Sequence, residues 1–250
     1  MSDAEERAAV MAGAYRWAVY FSPPPQAPWA RAGAGWLGRD VDGGACGPAP
    51  RIAGWSAQTW SWVTAAPRRY GWHGTLRAPW RLAPGCSSAD VLSVLRMLAA
   101  EIAPFDLPPL RLGSPEGFLA LQPVHPCAAL QALADACVVR LQPTAAPLTA
   151  AELERYSARG LSLRQQQYLR AWGYPYVLEE FHFHMTLTER LEPLSAAQRA
   201  ELQAAAAATF DPLPQPVHVD ALSLFAQPQP AAPLRRVARV PLGGGGASGS

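Results

Sequence analysis

Five residues constrain this chain more than anything else in it. Trp72-His73-Gly74-Thr75-Leu76 returns 111 residues later as Phe183-His184-Met185-Thr186-Leu187, in a sequence with only five histidines. Side chains of an extended strand alternate between its two faces. His73 and Thr75 therefore share one face while Trp72, Gly74 and Leu76 share the other. His184 and Thr186 separate from Phe183, Met185 and Leu187 in the same way. Each copy sets an imidazole beside a hydroxyl over an apolar back. Two copies facing one another across a cleft would gather two imidazoles and two hydroxyls with no carboxylate from the motifs, which is equipment for phosphoryl chemistry.

The surrounding elements repeat as well. Arg16 to Phe21 has strand chemistry and stops at Ser22-Pro23-Pro24-Pro25. Residues 23 to 51 are rich in Pro and Gly and read as a long loop, and Trp55 to Ala65 as a weak helix. The first motif strand is expected from about Tyr70 to Leu82. A helix follows, capped by Ser87 or Ser88, with Val91, Leu95, Leu98 and Ile102 on one stripe. Strands at 110–113 and 117–122 bracket the turn Ser114-Pro115-Glu116, and residues 127–139 are helical again. Thr149-Ala150-Ala151-Glu152 and Ser162-Leu163-Arg164-Gln165 are capping boxes with Gly160 and Gly173 as stops, predicting a helical hairpin inserted over 149–172. The second motif strand runs to about Leu191, Ser195-Ala196-Ala197-Gln198 opens a further helix, and strands at 217–225 and 234–240 close the pattern. Strand, helix, His strand, helix, Phe-Asp, strand thus occurs twice, over about 15–113 and 117–241. This order reads as an internal pseudo-twofold duplication within one domain, 15–241, between flexible termini at 1–14 and 242–250.

Composition narrows the chemistry. Half the 250 residues are apolar, 16% are charged, and the sequence contains no Lys, which removes a Schiff base or a P-loop lysine. A net charge of +2 is too small for strong, sequence-independent attraction to long nucleic acid and suits a small anionic substrate. Cys46, Cys86, Cys127 and Cys137 are scattered, as reduced thiols of a cytoplasmic protein would be. No apolar run reaches membrane-spanning length, and the acidic N-terminus does not read as a signal peptide.

With these motifs in hand, the sequence resembles the 2H phosphoesterase superfamily, named for its paired His-x-Thr/Ser motifs. Arg68 to Arg77, Trp172-Gly173-Tyr174-Pro175-Tyr176 and Phe183 to Thr188 are most similar to its phosphonate-metabolism branch, the DUF1045 group. The likeness runs from about Arg16 to Val240, with Trp72 and Arg77 where the branch is expected to carry Phe and Lys. It implies a bilobal α+β fold of two antiparallel sheets around a central cleft, no metal or other cofactor, and cyclic phosphodiester chemistry, here the opening of a small ribose cyclic phosphate in phosphonate breakdown. RNA ends carrying 2′,3′-cyclic phosphates are the other substrate class it implies.

Such a reaction needs a base for water, an acid for the leaving oxygen and donors for the phosphoryl oxygens. Histidine, with an ordinary pKa of about 6.5, can fill either proton role near neutrality. His73 and His184 are therefore the candidate acid and base, with the assignment between them left open by the symmetry, and Thr75 and Thr186 the candidate donors. Arg77, two beyond Thr75, and His182, two before His184, are expected on the same faces as candidate substrate contacts. Tyr70 and Tyr176, flanking the motif strands, are candidates for stacking on a sugar or base. Two rivals remain: a metal site built from His182, His184 and His73, and a binding module that holds a phosphorylated ligand without turnover.

Overall fold

The computed structural model describes residues 11–211 and 215–243. The outermost parts of the expected flexible termini, 1–10 and 244–250, lie outside them. Met11 and Ala14, read as part of a loose arm, pack against the core instead.

The fold is α+β with antiparallel sheets, built from β1 (Arg16–Phe21), β2 (Gly74–Trp80), β3 (Phe105–Leu107), β4 (Leu110–Gly113), β5 (Phe118–Pro123), β6 (Met185–Arg190), β7 (Val217–Val219), β8 (Ala221–Gln227) and β9 (Arg235–Pro241). One sheet has the order β2-β1-β8-β9 and another β4-β5-β6. Each therefore holds one motif strand beside the strand that opens its half of the sequence. The strand that closes each half crosses over: β4 joins β5, and β8 joins β1. Where the crossovers meet, β3 pairs with β7. This third, two-stranded sheet was not anticipated, because Phe105–Leu107 is too short to read as a strand and Val217–Val219 reads as the start of one longer strand over 217–225.

Helices follow their punctuation. Ser87 caps α4 (Ser88–Glu101) in a capping box with Asp90, and the same device opens α6 (Ala150–Ser157), α7 (Leu163–Trp172) and α8 (Ala196–Phe210). Between the capped pairs, α5 (Ala128–Leu141) buries Leu130, Leu133 and Cys137. The long loop expected over 23–51 contains a helix, α1 (Pro28–Leu37), with Pro28 in its first turn and Gly38 in the left-handed conformation behind it. Pro and Gly there are the two ends of a helix and not loop residues. Its buried Trp29 and Trp36 anchor it. Trp36 Nε1 donates to the carbonyl of Leu187 in β6 at 2.9 Å, joining the first half to the second motif strand. The weak helix at 55–65 is two short ones, α2 (Ala57–Val63) and α3 (Ala65–Tyr70).

The α6–α7 hairpin is fastened to the first sheet by one carboxylate. Glu152 accepts from Arg16 at the start of β1 (2.7 Å) and from Arg81 just beyond β2 (3.0 Å). The same side chain accepts from the Thr149 amide that opens α6 (2.9 Å). Among the described residues no helix is long and apolar enough to cross a membrane.

Candidate active site

The first motif strand begins at Gly74, four residues later than the expected Tyr70, and the second at Met185, so His73 and His184 each stand immediately before a strand and Thr75 and Thr186 take its second position. The predicted alternation holds. Trp72, Gly74 and Leu76 are buried, as are Phe183, Met185 and Leu187, whereas His73, Thr75, His184 and Thr186 are all half-buried. The two backs interlock, since Phe183 packs its ring directly over Gly74.

The two imidazoles are held alike. His73 Nδ1 lies 2.8 Å from the carbonyl of Gly71, and His184 Nδ1 lies 2.9 Å from the carbonyl of His182. A carbonyl only accepts, so each Nδ1 carries the proton and each neutral ring keeps its lone pair on Nε2. The Thr75 hydroxyl is 3.3 Å from that Nε2 of His73. Gly71 has a left-handed φ of 82°, and a Cβ there would come within 2.1 Å of Val41, so only glycine can present this carbonyl.

Electrostatics separate the pair. Burial pushes His73 down to about 4, aided by the positive charge that His184 and Arg39 would place nearby. The rings are thus close enough for protonation of one to disfavour the other. His184 is also lowered, chiefly by burial, but the Glu116 carboxylate works against the shift. Glu116 holds a left-handed φ of 52° in the turn between β4 and β5, a conformation uncommon outside glycine and one that gathers at functional sites. The sequence marked this turn without marking the charge it carries.

Aromatic rings wall the His73 side. Tyr20, in β1, is 1% exposed, and its ring centroid lies 3.9 Å from that of His73. Tyr70 sits 6.1 Å from His73, and Tyr176 meets Tyr174 edge-on at 5.5 Å, with Tyr156 of α6 edge-on to Tyr174 in turn. Burial raises the Tyr20 and Tyr174 phenols, with Tyr70 close enough to add to both. Sequence spacing singled out Tyr70 and Tyr176 and missed Tyr20 and Tyr174. Tyr20 reads as an ordinary core strand residue until β1 is paired with β2, which sets it opposite Thr75.

Arg77 is not brought to the imidazoles, and His182 stands only at the edge of the second, near enough for its charge to lower His184. Arg77 was expected beside Thr75, but β1 pairs Tyr20 with Thr75 and Val19 with Arg77, a slip of one residue that breaks the alternation. Its guanidinium instead donates to the Val138 carbonyl near the end of α5 and to Gln142, and lies over Trp80. His182 precedes the strand, where a period of two has no force. It is exposed and lines an open groove with Arg111, His125 and Gln131. No group of three or more His, Cys, Asp or Glu side chains placed to hold a metal occurs among the described residues. His218 pairs with Asp106 across the β3–β7 ribbon, at the surface.

The model of the family "Protein of unknown function (DUF1045)" matches residues 75–235. The chain belongs to the DUF1045 family. Two curated relatives of this DUF1045 chain are each named ribose 1,5-bisphosphate phosphokinase PhnN. One, from Janthinobacterium sp. (strain Marseille), is 37% identical over 92% of this chain and 51% of its own length. The other, from Laribacter hongkongensis (strain HLHK9), is 42% identical over 88% of this chain and 50% of its own. The DUF1045 chain spans about half the length of the curated relatives it matches. Among solved structures, the crystal structure of a phosphoesterase covers 92% of this chain and 98% of its own, at 16% identity and a TM-score of 0.40.

Proposed function

We propose that this DUF1045 chain is a metal-independent cyclic phosphodiesterase of the 2H type, a single bilobal domain whose two halves are duplicates and whose His73 and His184 open a small ribose cyclic phosphate. One observation carries the reading: two histidines, each ahead of its strand, each with Nδ1 on a carbonyl two residues back, and each followed by a threonine at the next alternate position. The shared arrangement leaves two Nε2 atoms for proton transfer.

In the reaction, water adds to phosphorus while the bond from phosphorus to one ribose oxygen breaks. His73, the more easily deprotonated ring, takes the water proton at Nε2. His184, whose proton Glu116 favours, gives its own to the departing oxygen. Thr75 and Thr186 donate to the phosphoryl oxygens as charge builds there. The product is an acyclic phosphomonoester, and the two histidines end with their protons exchanged, to be reset by solvent.

The relatives' name supports the substrate class. Opening the 1,2-cyclic phosphate of a ribose 5-phosphate at the 2-oxygen gives ribose 1,5-bisphosphate, the compound in that name. The kinase chemistry that the name describes is assigned to the half of those relatives this chain does not match, since a chain without Lys cannot supply the lysine that grips nucleotide phosphates in a P-loop. RNA ends with a 2′,3′-cyclic phosphate are the second substrate class, and the small net charge counts against it.

Phosphorus NMR in EDTA tests the proposal on a panel of ribose 1,2-cyclic phosphates and 2′,3′-cyclic nucleotides. Conversion of a cyclic to an acyclic phosphate without added metal supports it. A requirement for metal, or no conversion of any member, overturns it.

A further inference from the structure

Between the outer edge of β2 and the α6–α7 hairpin lies a cavity of about 190 Å³ that the proton-transfer site does not use. Arg16, Arg77, Arg81 and Arg170 line it against the single carboxylate of Glu152, a surplus of three positive charges. Glu152 is already engaged by Arg16 and Arg81, leaving Arg77 and Arg170 without an acid among the lining residues. Arg77 is 4% exposed, and among the described residues its Nε has no hydrogen-bond partner; the same is true of Nε1 of Trp80, 7% exposed, on which Arg77 stacks. A buried donor left unpaired costs about 1–3 kcal/mol, a cost that an anion bound beside it can offset. Burial lowers the Arg77 pKa to about 10, which leaves it cationic at neutral pH.

We infer that this cavity is a binding site for a phosphomonoester dianion, separate from the two histidines. The two arginines left without an acid match a dianion, guanidinium forks suit phosphoryl oxygens, and the volume falls below the roughly 300–1,000 Å³ of sites for drug-sized ligands. Tyr174 walls the cavity and lies close enough to Tyr20, whose ring packs on His73, to raise the Tyr20 phenol, so the two sites adjoin. The dianion has two sources: the second phosphoryl group of a substrate held at the histidines, a choice that rests on the reading above, or a free phosphorylated metabolite acting as effector.

Calorimetric titration with inorganic phosphate and with ribose 5-phosphate tests the site in the native protein, Arg170→Gln, Trp80→Phe and His73→Ala. Arg170 is exposed on α7, so its replacement leaves the core intact even if Trp80→Phe loosens β2. The expected result is binding to the native protein and to His73→Ala, and an affinity at least tenfold weaker in Arg170→Gln. Three results overturn the proposal: neither probe binds the native protein, both pocket variants bind as the native does, or His73→Ala alone abolishes binding. A ring-opening assay then separates the sources. A KM raised in Arg170→Gln for a 5-phosphorylated substrate, but not for a 2′,3′-cyclic nucleotide, marks the substrate's own phosphate, and equal effects on both mark an effector. Absence of all turnover would overturn the cyclic phosphodiesterase reading while leaving the titration to decide the pocket.

Discussion

The ring of Phe183 occupies the space that a Cβ on Gly74 would need, with its Cε2 and Cζ 2.3 Å from that position. The residue before the second histidine thus packs onto the residue after the first, and the spacing between the two motifs is set by a contact between their backs. Gly74→Ala should force one strand away from the other and cost about 1–3 kcal/mol, as overpacked cores do. Urea denaturation measures the loss, and pairing the change with Phe183→Leu should recover part of it. Gly74→Ala with native stability would show that the two strands are not fixed against each other.

The histidine environments give a pH profile with a definite sign. In free enzyme the base must be deprotonated, so kcat/KM should rise with pH as His73 passes through about 4. The acid must keep its proton, so kcat/KM should fall again as His184 titrates, at a point below the ordinary 6.5. A steady-state profile checks this. Replacing Glu116 by Gln should move the descending limb to lower pH while leaving the ascending limb in place, and a profile flat from pH 4 to 8 would contradict both assignments.

Tyr20→Phe keeps a ring against His73 and removes the hydroxyl. If that hydroxyl helps to hold the phosphoryl group, kcat/KM should fall by about tenfold to a hundredfold, on the order of 1–3 kcal/mol, with the urea midpoint little changed. Tyr20→Leu removes the stacked ring as well and should raise the His73 pKa toward its ordinary value by admitting water, a shift that NMR titration of the imidazole reads directly.

Glu152→Gln tests whether the α6–α7 hairpin depends on its single carboxylate. The change weakens the contacts to Arg16 and Arg81 and should destabilise the docked hairpin by about 1–3 kcal/mol. Limited proteolysis should then cut near Gly160, between α6 and α7, well before the sheets unfold. Cleavage no faster than in the native protein would mean that packing alone holds the hairpin.

The sequence exposed what is periodic and local. The four half-buried motif residues, the apolar backs, the capping boxes at Thr149, Ser162 and Ser195 and most of the order of strands and helices were legible because each follows from neighbours within a few positions. What escaped depends on pairing across the chain. Arg77 leaves its expected face because β1 and β2 slip by one residue, His182 is exposed ahead of a strand that starts only at Met185, and Tyr20 becomes part of the site only through its register with Thr75. The third sheet likewise exists only where two crossovers meet. Pro28 and Gly38 misled for another reason, since the residues that break chains also begin and end helices.

The measurement that bears most directly on the two-histidine account is a single-turnover ring-opening assay in EDTA, followed by phosphorus NMR, on native protein, His73→Ala and His184→Ala. Metal-independent opening of a ribose cyclic phosphate by the native protein, and a loss of at least a thousandfold in each variant, is the predicted result. Retained turnover in either variant, or native activity that vanishes in EDTA, would contradict it.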